Sequence, residues 1–403
     1  MASLLMVLLL LQATAVRAVE DQQSNETKIP EESRTQEDRE LNQVAAEVSA
    51  PYALLMEVST GTVLMEKAAD EKVHPASVTK IMTLLLILEA IEDGKIALSD
   101  TVTVSEHAAS MGGSQVYLEP YEKQTVETLL KCIAVASAND ACVAMAEHIS
   151  GSEGDFVKQM NARAEELGMS NTHFVNCCGL DAEDHLTTAR DVAIMSRELL
   201  KNHQQIHDYC TIWMENIVHQ TARGSFEFGL TNTNKLIRQY EYATGLKTGY
   251  TSVSGFCISA SAKKENIELI AVIMGGADSK SRFQDAITLL NSGFACCSLY
   301  QDTDRLALPA LPVKGGVEES VELSYGEEFS YVSTDGSNLS EIERELELAE
   351  EVEAPVQKGA PVGKIIYRIN GREIGSAALV AADDIGQAGY GDYIGRVFRI
   401  FLM

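Results

Sequence analysis

The 403-residue sequence is short of positive charge: 32 lysines and arginines stand against 59 acidic residues, a formal net charge of −27. Such a chain repels a phosphate backbone, so we expect no nucleic-acid partner. Internal repeats, a glycine-rich phosphate loop and ligand clusters with metal-type spacing are also missing, so we expect no cofactor and no metal. With 45% hydrophobic residues, the chain is long enough to form two folded domains.

Hydrophobic runs long enough to span a bilayer are missing as well. The run from Leu4 to Leu11 is too short to do so. Small residues follow it, which predicts a signal peptide over 1–18, cut after Ala18 or, alternatively, after Ala15. A buried N-terminal strand or helix is the other interpretation. It is disfavoured because an acidic, Glu/Gln/Ser-rich leader, predicted to be disordered over 19–45, follows. We therefore expect an exported, extracytoplasmic protein.

The C-terminal segment adds positive charge to this acidic chain. Arg396 and Arg399 lie among apolar residues at helical spacing, which are Tyr390, Ile394, Val397, Phe398 and Phe401. This pattern predicts an amphipathic helix over 386–403 that lies on an anionic membrane surface, at the outer face of the cytoplasmic membrane. Docking of the helix on the protein's own core is the alternative.

Eight cysteines in an exported protein suggest a disulfide framework, but their positions do not. Four of them lie singly in apolar or mixed periodic segments. The adjacent pairs Cys177-Cys178 and Cys296-Cys297 lack metal-ligand spacing. We expect buried free thiols.

The hydrophobic periodicity predicts two domains. Over 46–302 it predicts an α+β domain, with an antiparallel sheet flanked by helices and a helical subdomain between its strands. The strands predicted there are Tyr52–Glu57, Thr62–Lys67, Ala243–Lys247, Gly255–Ala262 and Ile267–Met274. The helices are Ser77–Ile91, Val126–Val135, Asp140–Ile149, Gly154–Leu167, Thr188–Asn202 and Ser281–Phe294.

A second, small all-β domain is predicted over 303–385, after the prolines at 309 and 312. Its predicted strands are Val321–Leu323, Glu328–Ser333, Ile342–Leu348, Gly363–Ile369 and Ala377–Val380.

The first chemical pattern is a serine and a lysine three residues apart, Ser77 and Lys80, at the start of a predicted helix. One helical turn brings both side chains to the same face, which places a nucleophile beside its base. The N-terminal end of the helix also favours a developing oxyanion. Such a pair arises by chance about once in a chain of this length, so it is weak evidence alone.

Two further triplets carry polar groups. Ser137-Ala138-Asn139 lies between two predicted helices, where it offers a second hydroxyl and an amide, or alternatively caps a helix. Lys247-Thr248-Gly249 ends a predicted strand, where it offers a cation, a donor and room for a substrate backbone, or alternatively a turn with a solvated lysine. The three patterns in this order are the set found in penicillin-recognising enzymes.

The sequence resembles the low-molecular-weight penicillin-binding proteins that act as serine D-alanyl-D-alanine carboxypeptidases, the peptidase S11 family. The resemblance extends over nearly everything after residue 45. The segments that carry it are His74-Pro-Ala-Ser-Val-Thr-Lys80, Ala136-Ser-Ala-Asn-Asp140, Asn171-Thr-His-Phe-Val-Asn176, His185-Leu-Thr-Thr-Ala-Arg-Asp191, Thr244-Gly-Leu-Lys-Thr-Gly-Tyr250 and Ala354-Pro-Val-Gln-Lys-Gly359.

This resemblance implies a serine β-lactamase/transpeptidase-like catalytic domain that cleaves the D-Ala-D-Ala end of peptidoglycan stem peptides and is acylated by β-lactams. It implies that Ser77 attacks the carbonyl while Lys80 takes its proton, and that the N–H groups of Ser77 and Tyr250 form the oxyanion hole.

The remaining implied roles concern the leaving group and the substrate's carboxylate. Ser137 relays a proton to the departing D-alanine, and Asn139 holds the peptide amide. Lys247 and Thr248, together with Arg282, bind the terminal carboxylate.

Three alternatives remain. A class A β-lactamase is disfavoured because Asn171–Asp191 holds no Glu-x-x-Leu-Asn pattern. Transpeptidation by the same acyl-enzyme stays open, and a non-catalytic wall-binding module is the alternative from a different class. The sequence departs from the family pattern at Cys177-Cys178 and at Ser292, and we expect neither departure to touch a proposed catalytic position.

Overall fold

The computed structural model describes residues 46–221 and 224–402, with side chains of the last helix described as far as residue 396. The predicted signal peptide (1–18) and leader (19–45) lie outside the described residues. The α-helices are α1 (Lys80–Glu92), α2 (Glu106–Ala109), α3 (Val126–Ala136), α4 (Asn139–Ser150), α5 (Glu153–Glu166), α6 (Ala189–Asn202), α7 (Ile206–Cys210), α8 (Leu236–Gln239), α9 (Ser279–Cys296) and α10 (Tyr390–Leu402).

The strands are β1 (Tyr52–Glu57), β2 (Val63–Lys67), β3 (Thr101–Thr103), β4 (Lys123–Thr125), β5 (Met214–Thr221), β6 (Gly224–Thr231), β7 (Ala243–Thr251), β8 (Gly255–Lys264), β9 (Ile267–Gly276), β10 (Ser298–Gln301), β11 (Leu311–Lys314), β12 (Ser320–Val321), β13 (Leu323–Tyr325), β14 (Ser330–Ser333), β15 (Glu343–Leu348), β16 (Val352–Glu353), β17 (Pro361–Ile369) and β18 (Arg372–Ala381). Short 3₁₀ turns occupy Ala76–Thr79 and Leu339–Glu341.

The first domain is built on an antiparallel sheet with strand order β2-β1-β9-β8-β7. The N-terminal hairpin therefore pairs with the late β7–β9 meander, and the helical segment between them forms a subdomain, as predicted. Alternation along β9 separates two cores: Ile270 and Val272 lie in the core shared with α6, whereas Leu269 and Ala271 lie in the core shared with α9. Because a strand's side chains point to opposite faces, a strand buried on both sides reads as a continuous apolar run.

Two strand pairs in the first domain differ from the sequence prediction. No strand was predicted between residues 105 and 205, yet β4 lies there and pairs with β3, which precedes it. The β5–β6 hairpin was also missed. One inward position of β5 is His219, whose Nδ1 lies 2.9 Å from a carboxylate oxygen of the buried Glu122. A polar residue at an inward position interrupts the apolar alternation from which a strand is predicted.

The second domain consists of short strands with one 3₁₀ turn, which confirms the small all-β prediction. Its largest sheet has the order β13-β18-β17-β15. Pro312, one of the two prolines that precede the predicted strands, lies within β11, a strand that was not predicted. The strand β10 pairs with β14 of this domain, and the division at 302/303 stays a prediction.

The chain ends in α10, and the guanidinium of Arg396 donates to the carbonyls of Gly316 at 2.6 Å and Val317 at 2.9 Å. Among the described residues, none of the helices combines the length and apolar character needed to cross a bilayer. All eight cysteines are present as thiols, and seven of them are buried, whereas Cys296 is exposed.

Candidate active site

The serine and lysine of the first pattern lie side by side. Ser77 belongs to the 3₁₀ turn that precedes α1, and Lys80 is the first residue of α1. Residues three apart in a 3₁₀ turn are eclipsed, so the lysine Nζ lies 3.1 Å from the serine Oγ. Ser77 is half-buried, whereas Lys80 is 0% exposed. The predicted nucleophile–base contact is therefore present.

Two further oxygens hold the amine of Lys80. Its Nζ donates to Oδ1 of Asn139 at 2.7 Å and to the backbone carbonyl of Cys178 at 2.6 Å. Both partners are neutral, and no carboxylate is an ion-pair partner of Lys80 within the described residues. The amine thus has a fixed direction toward Ser77.

The middle triplet joins two helices. Ser137 ends α3 in the left-handed conformation with φ of 61°, and Asn139 begins α4. The amide Nδ2 of Asn139 donates to the carbonyl of Gly112 at 2.7 Å, which turns Oδ1 toward Lys80. The Ser137 hydroxyl is buried and has no hydrogen-bond partner among the described residues. The backbone of Ser137 therefore ends a helix, as the helix-cap alternative states, but that alternative gives no role to the hydroxyl.

The third triplet lies inside β7, two residues short of its end rather than at the end predicted. Lys247 is only 1% exposed, and its Nζ donates to the carbonyl of Thr248 at 3.1 Å, so the solvated-lysine alternative is wrong. Burial, together with the nearby positive charge of Lys80, lowers the pKa of Lys247 to about 7. Thr248 donates its hydroxyl to that of Thr233 at 2.9 Å.

Gly249 brings β7 into contact with the serine. A Cβ at this position would lie 2.9 Å from the backbone nitrogen of Ser77 and 3.1 Å from the carbonyl oxygen of Pro75. Tyr250, the next residue, is 56% exposed and stacks on Phe256 with ring centroids 4.3 Å apart. The strand therefore passes directly beside the nucleophile.

Arg282 extends from α9 to the same strand. Its Nη1 donates to the carbonyls of Gly249 and Cys257, both at 3.1 Å, and burial lowers the pKa of Arg282 to about 10. The guanidinium also lies over the ring of Phe283. The structure thus brings Arg282 beneath the Lys-Thr-Gly strand, although its contacts there are with backbone.

The expectation that Cys177-Cys178 touches no proposed catalytic residue is wrong. The Cys178 carbonyl is one of the acceptors of Lys80, and the Cys177 carbonyl accepts from Thr83 at 2.5 Å. This loop packs tightly on the nucleophile's turn, since a Cβ at Gly179 would overlap the carbonyl of Ala76 at 1.9 Å. A backbone contact leaves no signal in the sequence, which is why the prediction failed.

His185 is a supporting residue that had no predicted role. Its Nδ1 accepts from the backbone N–H of Val175 at 2.9 Å, so its Nε2 carries the proton and donates to Thr79 at 2.9 Å. Burial lowers the pKa of His185 to about 4, which keeps the imidazole neutral. It anchors the loop before α6 to the turn that carries Ser77.

Comparisons with known proteins agree with this geometry. Residues 37–278 match the D-alanyl-D-alanine carboxypeptidase family, and residues 299–387 match the C-terminal domain of penicillin-binding protein 5. The chain is 40% identical to the D-alanyl-D-alanine carboxypeptidase DacF of Bacillus subtilis, over 92% of this chain and 94% of the relative. It is 33% identical to DacC of Escherichia coli, over 89% of each.

The crystal structure of penicillin-binding protein 5 from Haemophilus influenzae superposes with a TM-score of 0.73 at 30% identity, covering 85% of this chain and 99% of that one. The matches thus span both domains, and Ser77, Lys80 and the Lys-Thr-Gly strand lie together in the structure. The chain belongs to the D-alanyl-D-alanine carboxypeptidase family of penicillin-binding proteins.

Proposed function

We propose that this chain removes the terminal D-alanine from peptidoglycan stem peptides through an acyl-enzyme on Ser77, and thereby limits cross-linking in the maturing cell wall. The observation that carries the proposal is the contact between Lys80 Nζ and Ser77 Oγ at 3.1 Å. β-Lactams, whose strained amide imitates the scissile bond, acylate the same hydroxyl.

The hydrogen bonds of Lys80 explain how it serves as a base. A neutral amine has two N–H donors and one lone pair. Asn139 and the Cys178 carbonyl take the two donors, which leaves the lone pair directed at the hydroxyl of Ser77. As Ser77 attacks the carbonyl carbon, its proton passes to Lys80.

The oxyanion that forms needs two aligned N–H groups. We assign them to the backbone nitrogens of Ser77 and Tyr250. The closeness of Gly249 to the nitrogen of Ser77 supports this assignment, because it leaves the next residue of β7 beside the reacting carbon. A side chain at position 249 would occupy this space.

The other polar groups serve the departing D-alanine. Lys247 and Thr248 bind its carboxylate, and Arg282 adds positive charge behind the strand. Ser137, whose buried hydroxyl has no partner in the described part of the chain, returns a proton to the leaving amine. Asn139 orients the peptide amide while it holds Lys80. Water then hydrolyses the acyl-enzyme, whereas capture by an amine would give transpeptidation.

The test is the substitution Ser77→Ala, with Ser110→Ala as the control because the hydroxyl of Ser110 donates to the carbonyl of His107. We expect Ser77→Ala to lose both labelling by a tagged penicillin and the release of D-alanine from a diacetylated D-Ala-D-Ala tripeptide followed by mass spectrometry. Release by the variant would assign the nucleophile elsewhere. Release of D-alanine with transfer of the remaining acyl group to an amine rather than to water would favour transpeptidation.

We also propose that a signal peptide over 1–18 exports the protein and that α10 holds it on the outer face of the cytoplasmic membrane. Tyr390, Tyr393 and Ile394 are exposed on this helix, and Tyr390 is 84% exposed. Truncation should begin at Tyr390, because the backbone just before it bonds the second domain: Ala388 donates to Gly315. We expect the truncated mature protein to stay in the supernatant with anionic vesicles. Sedimentation equal to that of the full protein would refute the anchor.

A further inference from the structure

Two thiols and a carboxylate meet behind the lysine of the active site. Ligand atoms of Glu153, Cys177 and Cys178 lie within 4.8 Å of one another. Both cysteines are buried, and Glu153 is partly exposed at the first position of α5. Paired thiols alone are ordinary core packing, but a carboxylate beside them is not, since acidic side chains are seldom placed among buried groups.

The carboxylate is held in place from two sides. One oxygen of Glu153 accepts from the backbone N–H of Cys177 at 3.2 Å, and the other lies 3.0 Å from Nε2 of His107. An imidazole behind a ligating group is a common outer partner that fixes its orientation. Sequence spacing could not reveal this cluster, because Glu153 is 24 residues from Cys177.

This donor set suits a thiophilic divalent cation. Thiolate and carboxylate ligands bind Zn²⁺ tetrahedrally, with sulfur at about 2.3 Å from the metal and therefore about 3.8 Å between two ligating sulfurs. The ligand atoms here already lie within 4.8 Å of one another, so the cluster is close to that geometry. Binding would release one proton from each thiol, so that M²⁺ and two Cys–SH give M(S–Cys)₂ and two H⁺.

The same loop contacts the catalytic base. The carbonyl of Cys178 accepts from Lys80, and the carbonyl of Cys177 accepts from Thr83. Drawing the two sulfurs toward Glu153 tilts the peptide between them, which carries the Cys177 carbonyl. It also shifts the following peptide, which carries the Cys178 carbonyl that accepts from Lys80. We propose that Glu153, Cys177 and Cys178 form a binding site for a thiophilic divalent cation of the Zn²⁺ class, whose occupation slows the acylation of Ser77.

The binding experiment uses Cd²⁺ with the full chain, stripped by a chelator and kept reduced by a phosphine. A Cys296→Ser background removes the exposed member of the other cysteine pair. We expect one Cd²⁺ per chain and a thiolate-to-cadmium absorption band. Cys177→Ser should reduce the band, and Glu153→Gln should weaken binding by about tenfold to a hundredfold. An absent band, or a band that neither substitution changes, would overturn the site.

The second experiment measures inhibition by Zn²⁺ and depends on the proposed function, in which Lys80 is the base. The cadmium-binding experiment does not depend on it. Saturating Zn²⁺ should slow acylation by a fluorescent penicillin about tenfold or more, and a chelator should restore the rate. Glu153→Gln should keep the metal-free rate and need about tenfold more Zn²⁺ for the same inhibition. Acylation that is unchanged by Zn²⁺ while the cadmium band is present would overturn the coupling. Failure of Ser77→Ala to lose labelling would instead overturn the proposed function.

Discussion

The charges of the active site and those of the second domain's sheet follow opposite rules. In the site, Lys80 and Lys247 are buried and held by neutral oxygens. Along β15, Glu345 and Glu347 face solvent and meet Arg368 and Lys364 across the strand pair at 3.3 and 3.4 Å. Burial makes the first charges costly and sensitive to geometry, whereas the exposed pairs contribute little. A residue's type therefore says less about its importance than what surrounds it.

This contrast also explains how so acidic a chain can bind an acid. The two most acidic stretches, 19–47 and 317–353, lie outside the catalytic segment. Within the cleft, Lys247 in its charged form and Arg282 concentrate positive charge in a region of low dielectric constant. A carboxylate entering the cleft meets that local field rather than the net charge of the chain.

Removal of the buried base should give the largest effect. We expect Lys80→Ala to reduce penicillin acylation by about 10²- to 10⁴-fold, because the amine of Lys80 is the proposed acceptor of the Ser77 proton. The measurement is stopped-flow acylation, with Lys95→Ala as the exposed-lysine control. An equal loss in both variants would remove the distinction between buried and exposed lysines.

A smaller but still large effect should follow from one added methyl group. In Gly249→Ala the new Cβ meets the backbone of Ser77 and Pro75, atoms that cannot rotate away. A shift of about 1 Å in the serine costs about 10²-fold in acylation rate. Gly391→Ala is the control, since nothing lies within 4 Å of its Cβ. A Gly249→Ala enzyme of normal rate would show that the strand and the serine move independently.

The pH dependence tests the buried cation. The pKa of Lys247 is lowered to about 7, so its charged form predominates below that pH and disappears above it. Since the proposal assigns binding of the substrate's carboxylate to the charged form, kcat/KM should fall about tenfold per pH unit on the alkaline side. Lys247→Arg, which stays charged, should be slower and lack this decline. A wild-type profile that is flat across pH 7 would contradict the assignment.

In the second domain, substitutions should change stability without changing chemistry. The hydroxyl of Tyr367 donates to Asp302 at 2.6 Å, and Asp302 also accepts from Arg344 at 2.8 Å. Tyr367→Phe should lower the free energy of unfolding by about 1.5 kcal/mol or more. Glu345→Gln, at an exposed pair, should change it by no more than about 0.5 kcal/mol. Urea unfolding measures both, and penicillin acylation should be normal in each; slowed acylation would link the two domains.

Local patterns predicted the regular elements well where they were apolar. The hairpin β1–β2, the long helix α1 and the β7–β9 meander were all recognisable, because their burial imposes a hydrophobic period. The β5–β6 hairpin escaped prediction, because an inward position is the polar His219, which only the buried Glu122 makes acceptable. The strand β11, which contains Pro312, was not predicted, because its place in the fold depends on which strands pair with it.

By itself, the sequence determined which groups are available: a serine and a lysine one turn apart, two polar triplets, and the family pattern that links them. Short-range geometry fixes the contact of Ser77 with Lys80, so sequence reasoning reaches it. Only the tertiary structure decided that Lys80 donates to the carbonyl of Cys178, that Lys247 is buried, and that Glu153 lies beside two thiols. Those properties arise from backbone contacts and burial between segments far apart in the chain, and neither leaves a local signature in residue type or spacing.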